Sequence, residues 1–269
     1  MHPNFSFNLV QVLWIVTFAA HLVLLVVLLG REHIRRFPWF SASIAFAAMR
    51  LLCSRLLYGR LPQITLGAIF ITLADVSALV GILVLIEMGR RSFRGLSIAR
   101  WSAGAGIVAV VSGGVVAYWG PWPQWKAIAF DTLLARLNMM QLAAQKLTLL
   151  TDIAMVLFGV LVVLLGRRYG AGWRTHTQRI VIGLSTASLS QVTIQLVLFF
   201  IGRSAIPHSQ AEYEHLLNLR DNLLNANNVV YIVVLLWWIL CLWQDEPKAA
   251  KAAPELKSAP EAAPPAEQA

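Results

Sequence analysis

Followed for apolar and polar positions, the chain divides into seven long apolar runs: Leu9–Leu29, Trp39–Tyr58, Ile64–Met88, Ala99–Trp119, Leu147–Leu165, Thr177–Ile201 and Leu223–Trp243. Each approaches the ~20 residues needed to cross ~30 Å of hydrocarbon. With no water to satisfy the backbone there, a span must be a helix or part of a closed barrel. Barrel strands alternate apolar and polar residues over about 10 positions, whereas these runs are continuous. The pattern therefore predicts an all-α, polytopic membrane bundle of seven transmembrane helices.

Two stretches stand apart from the runs. In Trp125–Gln145, apolar Trp125, Ile128, Ala129, Leu133, Leu137 and Met140 recur three or four residues apart among Lys126, Asp131, Arg136 and Gln141. That spacing gives one apolar helix face, either an interfacial helix or an outward extension of the fifth run. Residues 245–269 turn abruptly to Ala, Pro, Glu and Lys, a composition too poor in apolar surface to fold alone. The expected organisation is a transmembrane domain over 1–244 and a disordered cytoplasmic tail over 245–269. Gly30-Arg31-Glu32 follows the first run directly with no small-residue cleavage pattern, so that run is expected to be a retained helix and not a leader.

Composition agrees with the runs. The chain is 58% hydrophobic, only 13% charged, and has a mean hydropathy of +0.67, too little polar surface for a soluble domain of this length. The charge is unevenly placed. A glycine followed by arginine closes the first, third and fifth runs, as LLGRE at 28–32, EMGRR at 87–91 and LLGRR at 164–168. The links on that side carry eleven Lys and Arg residues, against six in the longer links on the other. Lys and Arg are retained on the cytoplasmic side, which predicts an outside amino terminus and an inside carboxyl terminus. The glycines are expected as helix stops and the arginines as topology anchors. The net charge of +9 then reflects membrane orientation, and no nucleic-acid partner is implied; membrane lipid is. Trp39, Trp101, Trp173 and Trp243 near inner ends, and Trp119, Trp122 and Trp125 at the outer end of the fourth run, fit an aromatic belt.

Polar groups inside the runs supply the candidate chemistry, because a charge at the bilayer centre costs about 2.5–3.5 kcal/mol on insertion scales. Counted at ~1.5 Å per residue from the inner boundaries, Arg50 and Asp75 lie ~18–20 Å up and Asp152, Gln191 and Asn228 ~21–22 Å up. Thr148 and Asp152, then Ser188, Gln191 and Gln195, then Asn225, Asn228 and Tyr231 form helical stripes. Arg50, Asp75, Asp152, Ser188, Gln191, Gln195, Asn225 and Asn228 are accordingly the candidate ligand-binding residues of an outward-opening polar cavity. The same residues could serve only as interhelical hydrogen-bonding groups, at about 0.6 kcal/mol per bond. Arg50 is expected to pair with Asp75, since their helices are joined by the short turn through Gly59–Gln63 and must be antiparallel neighbours.

No nucleophile–His–acid set, Gly-rich phosphate loop or HExxH occurs, so no catalytic residue, metal site or cofactor is assigned. His21 is the only histidine well inside a run, which does not suit bis-histidine haem, and the last run has no lysine for a retinal Schiff base. Cys53 and Cys241 fall toward opposite faces, so no disulfide is expected between them. LLGR at 28–31 and YGRLP at 58–62 are echoed by LLGR at 164–167 and IGRSAIP at 201–207, a faint sign of a three-plus-one-plus-three parallel repeat.

RRFPWF at 35–40, GWRTHTQRIVIG at 172–183 and the seven-run layout resemble a group of uncharacterised bacterial seven-helix membrane proteins. The resemblance covers most of residues 9–243, implies a bacterial cytoplasmic membrane, and brings no activity with it. The leading functional expectation is a receptor-like, sensory membrane protein that needs a membrane or cytoplasmic partner to pass on a signal. The alternatives are a transporter of a small polar solute and an accessory subunit of a membrane complex. The threading has a direct test: alkaline phosphatase fused after Pro207 is expected to be active and fused after Arg94 inactive, and the reverse pattern would overturn it.

Overall fold

The structure is a computed structural model describing residues 9–93, 98–120, 122, 133–166, 175–204 and 209–245. Among these, every regular element is a helix: α1 Leu9–Gly30, α2 His33–Arg36, α3 Pro38–Leu57, α4 Gln63–Ser92, α5 Ile98–Tyr118, α6 Leu133–Gly166, α7 His176–Ser204 and α8 Gln210–Trp243. Six of them, α1, α3, α4, α6, α7 and α8, are long and apolar enough to cross a membrane. They form a closed ring in chain order, α1 against α3, α3 against α4, α4 against α6, α6 against α7, α7 against α8, and α8 back against α1. Helix α4 also touches α7, while α5 packs on α6 alone among the described helices. Large apolar side chains face away from the bundle, with Val26 65% exposed, Leu164 68% and Val110 75%. Such a surface suits a lipid solvent and not water, which fits a multi-pass integral membrane protein.

Contacts between helix ends show which ends lie together. Helix α3 begins with Phe37, which has no side-chain acceptor, and Pro38, which has no N–H. Its first free donors are the backbone N–H groups of Trp39 and Phe40, and both donate to Glu87 Oε2 of α4 at 3.1 Å. A carboxylate there satisfies two orphan donors and complements the positive end of the helix dipole. Glu87 also receives Arg91 Nη2 at 3.4 Å, and the Arg91 guanidinium lies 4.9 Å from the Phe37 ring centre.

The last carbonyls of α8 are met similarly. Arg179 Nη1 donates to the Cys241 carbonyl and His33 Nε2 to the Leu242 carbonyl, both at 3.3 Å. Arg31 pairs with Asp245 at 2.7 Å and covers the Trp243 ring. The end of α1, the start of α3, the end of α4, the start of α7 and the end of α8 therefore share one arginine-rich end. Above them sits the main apolar core, with Leu24, Phe40, Met88, Ile180, Leu235 and Trp238 essentially sealed. The Phe40 and Trp238 rings meet edge to face at 5.1 Å.

Several boundaries differ from the sequence expectation. Helix α6 starts at Leu133 and α8 at Gln210, so each of these 34-residue helices measures ~51 Å and overruns a bilayer core by several turns. The part of Trp125–Gln145 that is described is thus an extension of α6; residues 125–132 lie outside the described residues. A cap at Ser209, whose side chain accepts from the Glu212 N–H, explains the early start of α8: good capping chemistry outweighs the polar composition that follows. Gly30 does end α1, and α6 is described as far as Gly166, but Gly89 lies inside α4, which continues to Ser92. Arg91 bonding one turn back to Glu87 supports that extra turn. The tail beyond Asp245 lies outside the described residues.

Gly183 decides how closely α7 approaches α8, because a β-carbon added there would lie 2.3 Å from Trp238 Nε1. Gly183→Ala is expected to lower stability in detergent by about 1–3 kcal/mol, the usual range for overpacking. Adding Trp238→Phe should recover part of the loss. A Gly183→Ala protein as stable as the parent would show that this contact is wrong.

Candidate functional site

Away from the arginine-rich end the interior becomes polar. A cavity of about 830 Å³ opens between α4, α6 and α7, with Gln141, Gln145, Lys146 and Thr148 from α6 and Gln191 and Gln195 from α7 on its wall. Gln141 and Gln145, then Gln145 and Thr148, are four and three residues apart, so one face of α6 presents them all. Gln191 and Gln195 do the same on α7. Helix α4 contributes an apolar wall through Phe70 and Ile71, and Trp119 and Phe199, with ring centres 5.4 Å apart, add an aromatic corner. Amide side chains both donate and accept, so this wall can match hydrogen-bonding groups of either kind.

Lys146 is a buried member of the wall that is already engaged. Its Nζ donates to the carbonyls of Val116, Trp119 and Gly120 at the end of α5, and the ammonium lies 4.9 Å from the Trp122 ring centre. Gly120, at φ 66°, takes the left-handed conformation that turns the chain there. Lys146 thus closes the carboxyl end of α5, where a cation complements the dipole, and fastens α5 to α6.

A chain of polar bonds adjoins the cavity. Asn227 of α8 donates through Nδ2 to Gln191 Oε1 at 2.6 Å and accepts from Ser190 Oγ at 2.8 Å. One turn beyond Thr148 on α6, Asp152 Oδ1 accepts from Ser188 Oγ at 2.9 Å. Its other oxygen is buried without a hydrogen-bond partner. Three helices are therefore tied at this level by side-chain bonds alone.

A third group joins α1 to α8. His21 Nδ1 contacts the Thr17 carbonyl at 2.7 Å, and Nε2 contacts the Tyr231 hydroxyl at 3.0 Å. A carbonyl can only accept, so Nδ1 carries the proton, and in the neutral ring Nε2 accepts from Tyr231.

Measured against the expected set, the structure brings together Asp152 with Ser188 and places Gln191 and Gln195 on one cavity wall. It does not pair Arg50 with Asp75; the described ion pairs are Arg31–Asp245 and Arg91–Glu87. The two residues do lie on neighbouring antiparallel helices, where Arg50 is exposed and Asp75 half-buried. Equal height is not equal azimuth, and run boundaries give only height. Asn225 and Asn228 stay out of the amide chain; Asn227 enters it, sharing a face with Tyr231 one turn on. The residues that sequence reasoning missed are Gln141, Gln145, Lys146, Ser190 and Asn227. The four-residue spacing of Gln141 and Gln145, repeated by Gln191 and Gln195, was the signal available for the cavity.

Among the described residues no group of His, Cys, Asp and Glu is arranged to hold a metal ion, and Cys53 and Cys241 are free thiols. No family model, no curated protein and no solved structure matches this chain.

Proposed function

We propose that this is a receptor-like, sensory seven-helix protein of a bacterial cytoplasmic membrane, with the cavity between α4, α6 and α7 open to the outside and holding a small polar solute. The observation that carries this is the cavity itself: four glutamines, Gln141, Gln145, Gln191 and Gln195, on one opening of about 830 Å³. Amides that served only as interhelical hydrogen-bonding groups would be spent on one another, as Asn227 and Gln191 are; Gln141 and Gln145 are exposed instead. In this reading α5 is the seventh span, anchored by Lys146, and the arginine-rich end is cytoplasmic. The links at that end, such as Arg31–Glu32 between α1 and α2, are short, so a signal would pass to a partner protein.

The transporter reading has one observation in its favour. Exchanging α1, α3 and α4 with α6, α7 and α8 maps the ring of packed neighbours onto itself, as a parallel repeat does. A sequential ring of six helices always has this property, so ring order is compatible with transport without selecting it.

The test is to denature purified protein and compare the released small molecules, by mass spectrometry, with those from a Gln191→Leu/Gln195→Leu variant of equal thermal stability. At least one polar solute enriched in the parent and lost from the variant is expected. Identical extracts would count against a ligand cavity. Uptake of the recovered solute by proteoliposomes would move the assignment from sensor to transporter.

A further inference from the structure

The peripheral position of α5 leaves a second opening. Among the described helices it packs on α6 alone while α4 also packs on α6, so α4 and α5 stand apart like the sides of a trough with α6 as its floor. The trough has a volume of about 340 Å³ and is apolar along its length. Its two hydroxyls are turned inward on their own helices, Ser112 Oγ donating to the Val108 carbonyl and Thr151 Oγ1 to the Leu147 carbonyl. No group is left there to bind a polar molecule.

Three features say what fills it. First, α5 and α6, which line it, also carry exposed Val110 and Leu164, an apolar surface suited to the acyl chains of a bilayer and not to water. Second, its extent matches one leaflet. Along α4 it runs from Ile82 to Phe93, or ~16 Å at the helical rise, close to half of a ~30 Å hydrocarbon core. Third, a cation stands at its mouth. Arg90 is exposed and makes no ion pair among the described residues. It lies four residues after Ile86 and three before Phe93, both of which line the trough, and so shares their helix face. Arg91, by contrast, is held by Glu87.

We infer that the α4–α5–α6 trough is a binding site for an anionic phospholipid, one acyl chain lying in it and the phosphate meeting Arg90. The chain occupies space that α5 cannot fill from its perch on α6, and the guanidinium offers the phosphate a planar, multiply donating partner. The bound lipid completes the wall of α4 that α5 leaves bare. The site is separate from the glutamine cavity, so it stands whatever solute that cavity takes.

The experiment equilibrates purified protein with vesicles of equal parts phosphatidylglycerol and phosphatidylcholine and counts retained lipids by native mass spectrometry. The parent should retain phosphatidylglycerol in preference. Arg90→Gln should weaken that preference about fivefold, the effect of about one arginine at a membrane surface. A β-carbon at Gly104, which lines the trough, meets nothing within 4 Å, so Gly104→Leu should fill the trough and displace lipid without a clash. Ala109→Leu, on the same wall, guards against a folding defect in the first variant. Val110→Leu, facing outward beside it, should behave as the parent. Equal retention of the two lipids by the parent, or full retention by both filling variants, would overturn the assignment. So would a second copy of the chain bound in place of lipid.

Discussion

The carboxylate of Glu87 is the contact on which the arrangement of the other helices depends. The first N–H groups of a helix have no partner within it, and Phe37 and Pro38 deny α3 a local cap. Glu87 supplies it from another helix by accepting from Trp39 and Phe40. That one contact sets the height of α3 against α4. It places Phe40 where Trp238 can meet it edge to face, and Trp238 in turn fits only because residue 183 has no side chain. Capping, aromatic packing and the α7–α8 approach thus form one connected unit at the arginine-rich end, and Arg179 and His33 complete it by meeting the last carbonyls of α8.

The division of labour along the bundle follows from this. One end is held by charges on helix termini and a sealed apolar core. The other carries its polar groups in mid-helix, where Asp152, Ser188, Ser190, Gln191 and Asn227 tie α6, α7 and α8 with a few bonds, each worth about 0.6 kcal/mol in a membrane. Bonds that weak can be exchanged for bonds to a ligand. The cavity opens beside this network, with Gln191 belonging to both. Helix α5 stands outside the ring, tethered by Lys146 at one end, and leaves an apolar trough between itself and α4.

Much of this was legible in the chain. Continuous apolar runs gave the helices because hydrocarbon admits no other open-ended backbone arrangement, and α1, α3 and α4 begin and end within a few residues of the pattern. The early starts of α6 and α8 were less visible, since an amphipathic extension beyond the membrane has no apolar run to announce it. Glu87 was passed over because its partners are backbone groups 47 and 48 residues away, which leave no mark in composition. Arg50 and Asp75 were brought together on height and on the adjacency of their helices, and Asn228 was preferred to Asn227, because rotation about a helix axis is fixed by packing against neighbours. Periodicity says which residues share a face; it does not say which neighbour that face meets.

The most direct test of this account is amide hydrogen exchange at Trp39 and Phe40 in the parent and in Glu87→Ala, read by mass spectrometry on peptides covering the start of α3. Hydrogen bonds to a charged group contribute about 1.5–3 kcal/mol. Exchange at these amides should therefore accelerate at least ~10-fold in the variant, while Glu87→Gln, which keeps an acceptor oxygen, should fall between the two. Unchanged protection in Glu87→Ala would mean that the start of α3 is held by something other than this carboxylate.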